Sequence, residues 1–171
     1  MKEKILKRKM IIVVATVLLF VSCCICIFLM CTAEYDPHTS DRGDEKYCKE
    51  ILDEVIRCLD EDDVETLYSL FSEDDKSEHT LERQIKKAME AYDGKSVSCD
   101  EFSCGQGSIK VYYGYYSLKT VSVKYRKIET DLDEEYYIHV VICLVNDENP
   151  ECIGVRRIYI KDKNNIETVI S

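Results

Sequence analysis

In this chain of 171 residues, few side chains are of types that do chemistry, so their spacing has to separate catalysis from binding and packing. His139 is the first of them. It lies in Tyr136 to Val145, a segment apolar at nearly every position, and strand alternation puts it on one face with Tyr137, Val141 and Cys143. Facing a pocket, it would be a general base, oriented by Tyr125 or Arg157 across the sheet; facing solvent or core, it is structural. The run Tyr112-Tyr113-Gly114-Tyr115-Tyr116 offers rings on which a sugar or partner could stack, but adjacent strand residues face opposite sides. Ordinary sheet packing is the plainer reading of those tyrosines. Asp60 to Asp63 is acidic enough for calcium, yet it lacks the alternating oxygen spacing and central glycine of a calcium loop, and it reads as a helix boundary. Arg156 and Arg157 point to opposite faces of a strand and make no clamp.

Ten cysteines divide by surroundings. Cys23, Cys24 and Cys26 sit in an apolar run, where cysteine acts as a small hydrophobe, and Cys31 stands at its exit. The remaining six, Cys48, Cys58, Cys99, Cys104, Cys143 and Cys152, are candidates for disulfides in an exported domain, Cys99 with Cys104 and Cys143 with Cys152 being the local pairs. Buried free thiols are the equal alternative. A zinc site from Cys99, Cys104, Cys143 and Cys152 would not have the spacing of ribbons or knuckles, so no metal and no cofactor is expected. The chain also lacks a phosphate-binding glycine loop, a Gly-x-Ser-x-Gly elbow, His-Glu-x-x-His and, beyond the apolar run, Cys-x-x-Cys. No Asn-x-Ser/Thr acceptor is present.

Position relative to a membrane follows from residues 1–44. Met10 to Met30 is 21 residues without a charge, and as a helix it would span roughly 30 Å, one hydrocarbon core. Residues 1–9 form a basic tip and Glu34, Asp36 and Asp41 follow the segment, an asymmetry that places the N-terminus in the cytoplasm and the body outside. Three readings of 10–30 compete. It is an uncleaved signal anchor; or a lipoprotein signal with Cys23 acylated in Leu19-Phe20-Val21-Ser22-Cys23; or a peptide cleaved after Ala33. Seven apolar residues behind Cys23 favour the anchor. All three export the body. Up to Ala33 the net charge is +4, so the total of −10 leaves −14 for the rest. Such a body repels phosphate backbones, which excludes nucleic acid as a partner.

The elements that must position these side chains show in the periodicity. Residues 31–44 read as a linker and 45–171 as one domain. Tyr47, Ile51, Val55 and Leu59 stripe a first helix, which the acidic run ends. Asp62 with Glu65 has the form of an N-cap for a short second helix, and Ser72 to Glu78 is a polar turn. Leu81, Ile85, Ala88, Met89 and Tyr92 stripe a third helix, closed by Gly94. Alternation begins at Lys95. A strand with a turn at Gly105-Gln106-Gly107, a stretch from Ile109 to Ile128, a loop at Thr130 to Glu134, a central strand from Tyr136 and a strand from Ile153 to Lys161 follow, with Ile166 to Ile170 as a last edge. The expected fold class is α+β, an N-terminal transmembrane helix and then three helices packed on a curved antiparallel sheet of four to five strands.

Asp62-Val64-Leu67-Leu70-Phe71-Ser72, Tyr92-Asp93-Gly94-Lys95, Leu144-Val145-Asn146-Asp147 and Gly154 before Ile158 resemble a bacterial family of lipoprotein-type exported proteins, the domain of unknown function numbered 5104. The helix–helix–helix–meander order is similar to the cystatin-like cone of nuclear-transport-factor-two-like proteins. The resemblance covers about Glu45 to Asp162 and implies the cone fold and an exported, often lipid-anchored life, with no known reaction. The function expected is therefore a membrane-tethered extracytoplasmic binding or interaction module of the cell envelope. Its partners would be the membrane through 10–30 and an unidentified protein or small molecule, with a homodimer through the sheet face as a third use. The alternative is a small pocket enzyme of isomerase or hydratase type using His139.

Overall fold

The computed structural model describes residues 37–171, with side chains from Gly43 onward. The candidate membrane segment 10–30, and Cys23 with it, lie outside the described residues. Thr39–Ser171 forms one compact unit.

Pro37 opens the first helix, α1 (Pro37–Glu61), at a position where its missing N–H costs nothing. The helix thus begins inside the stretch expected to be linker. Its buried face is Cys48, Leu52, Val55, Ile56, Cys58 and Leu59, the spacing of an amphipathic helix. Asp62 turns the chain in a left-handed conformation (φ 55°). Asp63, and not Asp62, then caps α2 (Val64–Leu70), its carboxylate accepting from the Thr66 amide at 3.0 Å. The segment expected as a polar turn holds a further helix, α3 (Glu73–Lys76), started by the Ser72 hydroxyl, which accepts from the Asp75 amide. It has no buried residue, which is why apolar periodicity does not reveal it. The last helix, α4 (Leu81–Glu90), buries Leu81, Ile85, Ala88 and Met89. It stops at the Ala91 cap, and Gly94 (φ +86°) makes a separate turn against Thr130 and Asp131, where a Cβ would lie 2.7 Å from a carboxylate oxygen.

Five strands follow: β1 (Ser96–Tyr112), β2 (Tyr115–Thr130), β3 (Glu135–Asn146), β4 (Gly154–Asp162) and β5 (Glu167–Ile170). They form a sequential antiparallel meander, with β3 in the middle and β1 and β5 as open edges. Gly105-Gln106-Gly107 does not turn the chain. It lies within β1 at a register shift, where a Cβ on Gly107 would sit 2.4 Å from the Thr120 hydroxyl. The reversal comes at Tyr113-Gly114, both residues having positive φ (49° and 82°), as a two-residue hairpin turn requires.

Alternation along β2 and β3 sorts the side chains. Val121, Val123, Tyr125 and Ile128 of β2 and Tyr136, Ile138, Val140 and Ile142 of β3 join Val155, Ile158, Ile160 and Ile170 in one core with the helices. Polar contacts fix α1 along β2: Asp44 with Lys119, Asp53 with the Tyr125 hydroxyl (2.9 Å), and Asp60 with the Ser96 amide (2.8 Å) where β1 begins.

The expected architecture is corrected accordingly. Among the described residues four α-helices and an unclosed five-stranded meander stand in place of the three-helix cone, because a hydrophilic cap can start a helix that buries nothing and because glycine pairs can mark a bulge. No helix among the described residues is long and apolar enough to cross a membrane.

Candidate functional site

The helices cover one face of the sheet, and the opposite face of β2, β3 and β4 is left open. Lys124 of β2, His139 of β3 and Tyr159 of β4 sit side by side in register. Ser122, Val141 and Arg157 make the neighbouring row, and Tyr137 with Lys161 the row beyond His139. A shallow groove of about 470 Å³ runs over Tyr137, His139, Tyr159, Lys161, Asn165 and Glu167.

His139 is half-buried at the centre. Its ring stacks on Tyr159 with centroids 5.1 Å apart and planes within 13°, and Tyr137 lies 6.3 Å away on the other side. Its Nε2 pairs with the Ser122 hydroxyl at 2.5 Å. Burial lowers its pKa below the ordinary 6.5, Lys124 adds to the shift, and Glu167 opposes it. The imidazole is therefore neutral at neutral pH. The partners expected for it are not those found. Tyr125 belongs to the buried face, bonded to Asp53, and Arg157 donates to the Tyr159 hydroxyl (3.0 Å) one strand away. Cys143, two residues beyond Val141, is buried and is not part of the groove lining, its thiol donating to the Val145 carbonyl at 3.4 Å. Among the described residues no carboxylate bonds His139, so the Ser–His contact has no third group to orient it and the face encloses no pocket.

Lys124, Arg126, Arg157 and Lys161 form no ion pair among the described residues, whereas Arg57, Lys119, Lys127, Arg156 and Lys163 are all paired with acids. Arg156 shows the contrast. It projects at the register shift and is held by Asp74 (3.1 Å), Asp75 (3.2 Å) and the Ser72 hydroxyl, while Arg157 beside it stays on the open face. The strand register thus gathers four cations around the rings, with Glu167 of β5 opposite Lys161.

The other candidate residues resolve individually. Asp60 accepts from Tyr92 and Ser96, Glu61 and Asp63 bind Arg57, and no metal-holding group of three ligands exists among the described residues. Cys48, Cys58, Cys99, Cys104, Cys143 and Cys152 form no disulfide among the described residues. Burial pushes Cys48 up to about 12, with the Cys104 thiol the next cause, and Cys58 up to about 11. Such thiols are protonated and poorly nucleophilic. Cys104 thus has Cys48 as its thiol neighbour, and Cys143 has Cys152. The tyrosine run is the reverse of its expected packing: Tyr112, Tyr113 and Tyr115 are 68%, 87% and 79% exposed at a hairpin tip that extends past the core.

Ser122, Lys124, Arg126, Tyr159 and Lys161 had no sequence signal as a site. The alternation of β2 and β4 shows which residues share a parity, but only strand order and register bring them around His139.

By fold and site the molecule is a helix-backed antiparallel meander with one uncovered, cation-rimmed face. The sequence model of the domain of unknown function (DUF5104) matches residues 54–167, and the chain belongs to that family. The match runs from the middle of α1 into β5 and so includes every residue of the open face named above. No curated protein matches the chain.

Proposed function

We propose that the chain is a non-catalytic binding module of a cell envelope, of the exported bacterial kind, tethered to a membrane through residues 10–30, with the open face of β2–β4 as its recognition surface. The observation that supports this most is the coincidence on one uncovered face of the Tyr137–His139–Tyr159 ring cluster with four cations that form no ion pair among the described residues, beside the single groove carboxylate Glu167, in a body of net charge −14. Glu167 lies opposite Lys161 in register, and the cations outnumber it, so an anionic partner meets a face of net positive charge. The flanking charges of residues 10–30 support the body lying outside the membrane, as read from the sequence. The experiment is site-specific photocrosslinking in intact cells, with benzoylphenylalanine in place of Tyr159 and, as reference, of Arg83 on α4. A discrete adduct from position 159 and none from 83 is the expected result. Adducts absent from both, or equal at both, overturn the reading.

The Ser122–His139 contact favours one second reading, an isomerase or hydratase in which His139 is the general base. It requires an enclosed substrate and an orienting acid, and this face has neither. Turnover that vanishes in His139→Ala while the fold persists would establish it.

A further inference from the structure

The layout of charge and rings narrows what the open face takes. Neighbouring strands stand about 4.8 Å apart, and residues two apart on one strand are about 7 Å apart. Lys124 and the β4 cations are therefore separated by roughly 10 Å across the sheet, and Arg157 from Lys161 by roughly 14 Å along it. No single oxyanion meets such a spread. A chain with anionic groups several ångströms apart does. The His139 and Tyr159 rings stack on each other, and side chains stand perpendicular to a sheet, so the pair presents ring edges outward. Aromatic edges are the positive part of the quadrupole and suit anions and hydroxyl oxygens. The Tyr137 and Tyr159 hydroxyls and the Asn165 amide add polar groups around the groove, and the Glu167 carboxylate at its β5 side, opposite Lys161, confines the anionic groups to the Lys124, Arg126 and Arg157 side.

What is missing is as directive. The described face has no apolar recess: its aliphatic members are Val141 and the partly exposed Val169. A peptide anchored by buried side chains has no socket here. A long polyanion such as nucleic acid would run onto the acidic remainder of the body, −14 overall, and be repelled. A short, hydroxyl-rich, acidic chain satisfies both limits.

We propose that the open face of β2–β4 binds a short acidic saccharide, a sugar chain bearing carboxylates or phosphates, whose charged groups meet Lys124, Arg126 and Arg157 and whose hydroxyls meet Tyr137 and Tyr159. This rests on the binding-module reading and gives it a ligand class. The neutral His139 sits under the chain as a hydrogen-bonding floor with Ser122 and takes no proton from it.

The test is calorimetric titration of the full chain in detergent micelles with tetragalacturonate, its neutral galactose tetramer, and hexaglutamate. Tetragalacturonate is expected to bind and the other two to bind at least tenfold more weakly. The affinity should fall with added salt, fall at least tenfold in Arg126→Gln/Arg157→Gln and in Tyr159→Ala, and stay unchanged in Arg83→Gln. Equal binding of the neutral tetramer, or tighter binding of hexaglutamate, overturns the saccharide assignment and leaves the face as a binding surface. No binding by any of the three, with the Tyr159 photoadduct still formed in cells, also overturns it while the module reading stands. Without that adduct, both fall.

Discussion

Asp60 takes three hydrogen bonds at the end of α1, from the Tyr92 hydroxyl (3.2 Å), the Ser96 amide (2.8 Å) and the Ser96 hydroxyl. It joins a helix, the segment after α4 and the start of β1 through one carboxylate. Asp60→Ala leaves the Ser96 amide and two hydroxyls without partners and should cost about 2–4 kcal/mol, read from urea unfolding. Asp63 is held at about 2 by the Thr66 amide first and Arg57 after it. Because its folded pKa lies below the unfolded value of 3.8, its contribution is present above 3.8 and disappears as pH falls through 2. His139 has the same slope for a different reason. Burial keeps it neutral, the unfolded chain binds its proton near 6.5, and stability therefore falls as pH drops below 6.5. Thermal unfolding midpoints between pH 5 and 7 should decline toward acid in the native chain and less steeply in His139→Gln.

At the level of elements, glycine positions show how local chemistry shapes the sheet. Gly154 (φ +131°) opens β4 where a Cβ would come within 3.0 Å of the Ser72 amide nitrogen, and Ser72 donates that N–H to the Val155 carbonyl (3.1 Å). Gly154→Ala therefore combines backbone strain with a clash, and a loss of about 2 kcal/mol or more is expected in chemical denaturation. Leu52, wholly buried on α1 against the sheet, should cost about 2–5 kcal/mol as Leu52→Ala in the same measurement. Much of this arrangement is legible in periodicity: the stripe of α4, the central place of β3, the loop at Thr130–Glu134 and the edge strand ending at Ile170 are all found. What sequence missed has specific physical causes. The four-residue α3 is held by a Ser72 cap without apolar residues, a glycine pair in β1 marks a bulge, and the start of α1 at Pro37 precedes its apolar stripe. The candidate site was legible only at His139. Its neighbours lie 17 and 20 residues away, Ser122 and Tyr159, and only strand order and register bring them to it.

For the whole molecule the decisive feature is charge segregation. Many cations of the helices and hairpins are paired with acids, while Lys124, Arg126, Arg157 and Lys161 gather on the open sheet face without an ion pair among the described residues. Docking two copies through this face, the homodimer considered from sequence, would set Lys124, Arg126, Arg157 and Lys161 against their counterparts. The chain in micelles should therefore sediment as a monomer at low salt. The central claim, that the open face is occupied by a partner in place, is tested most directly by hydroxyl-radical footprinting. Tyr137 and Tyr159 report on the face, and the 87% exposed Tyr113 at the hairpin tip serves as an internal reference. In intact envelopes compared with purified chain, Tyr137 and Tyr159 should be protected severalfold relative to Tyr113, and Arg126→Gln/Arg157→Gln should abolish that difference. Equal modification of Tyr137 and Tyr159 in the two settings would contradict the account.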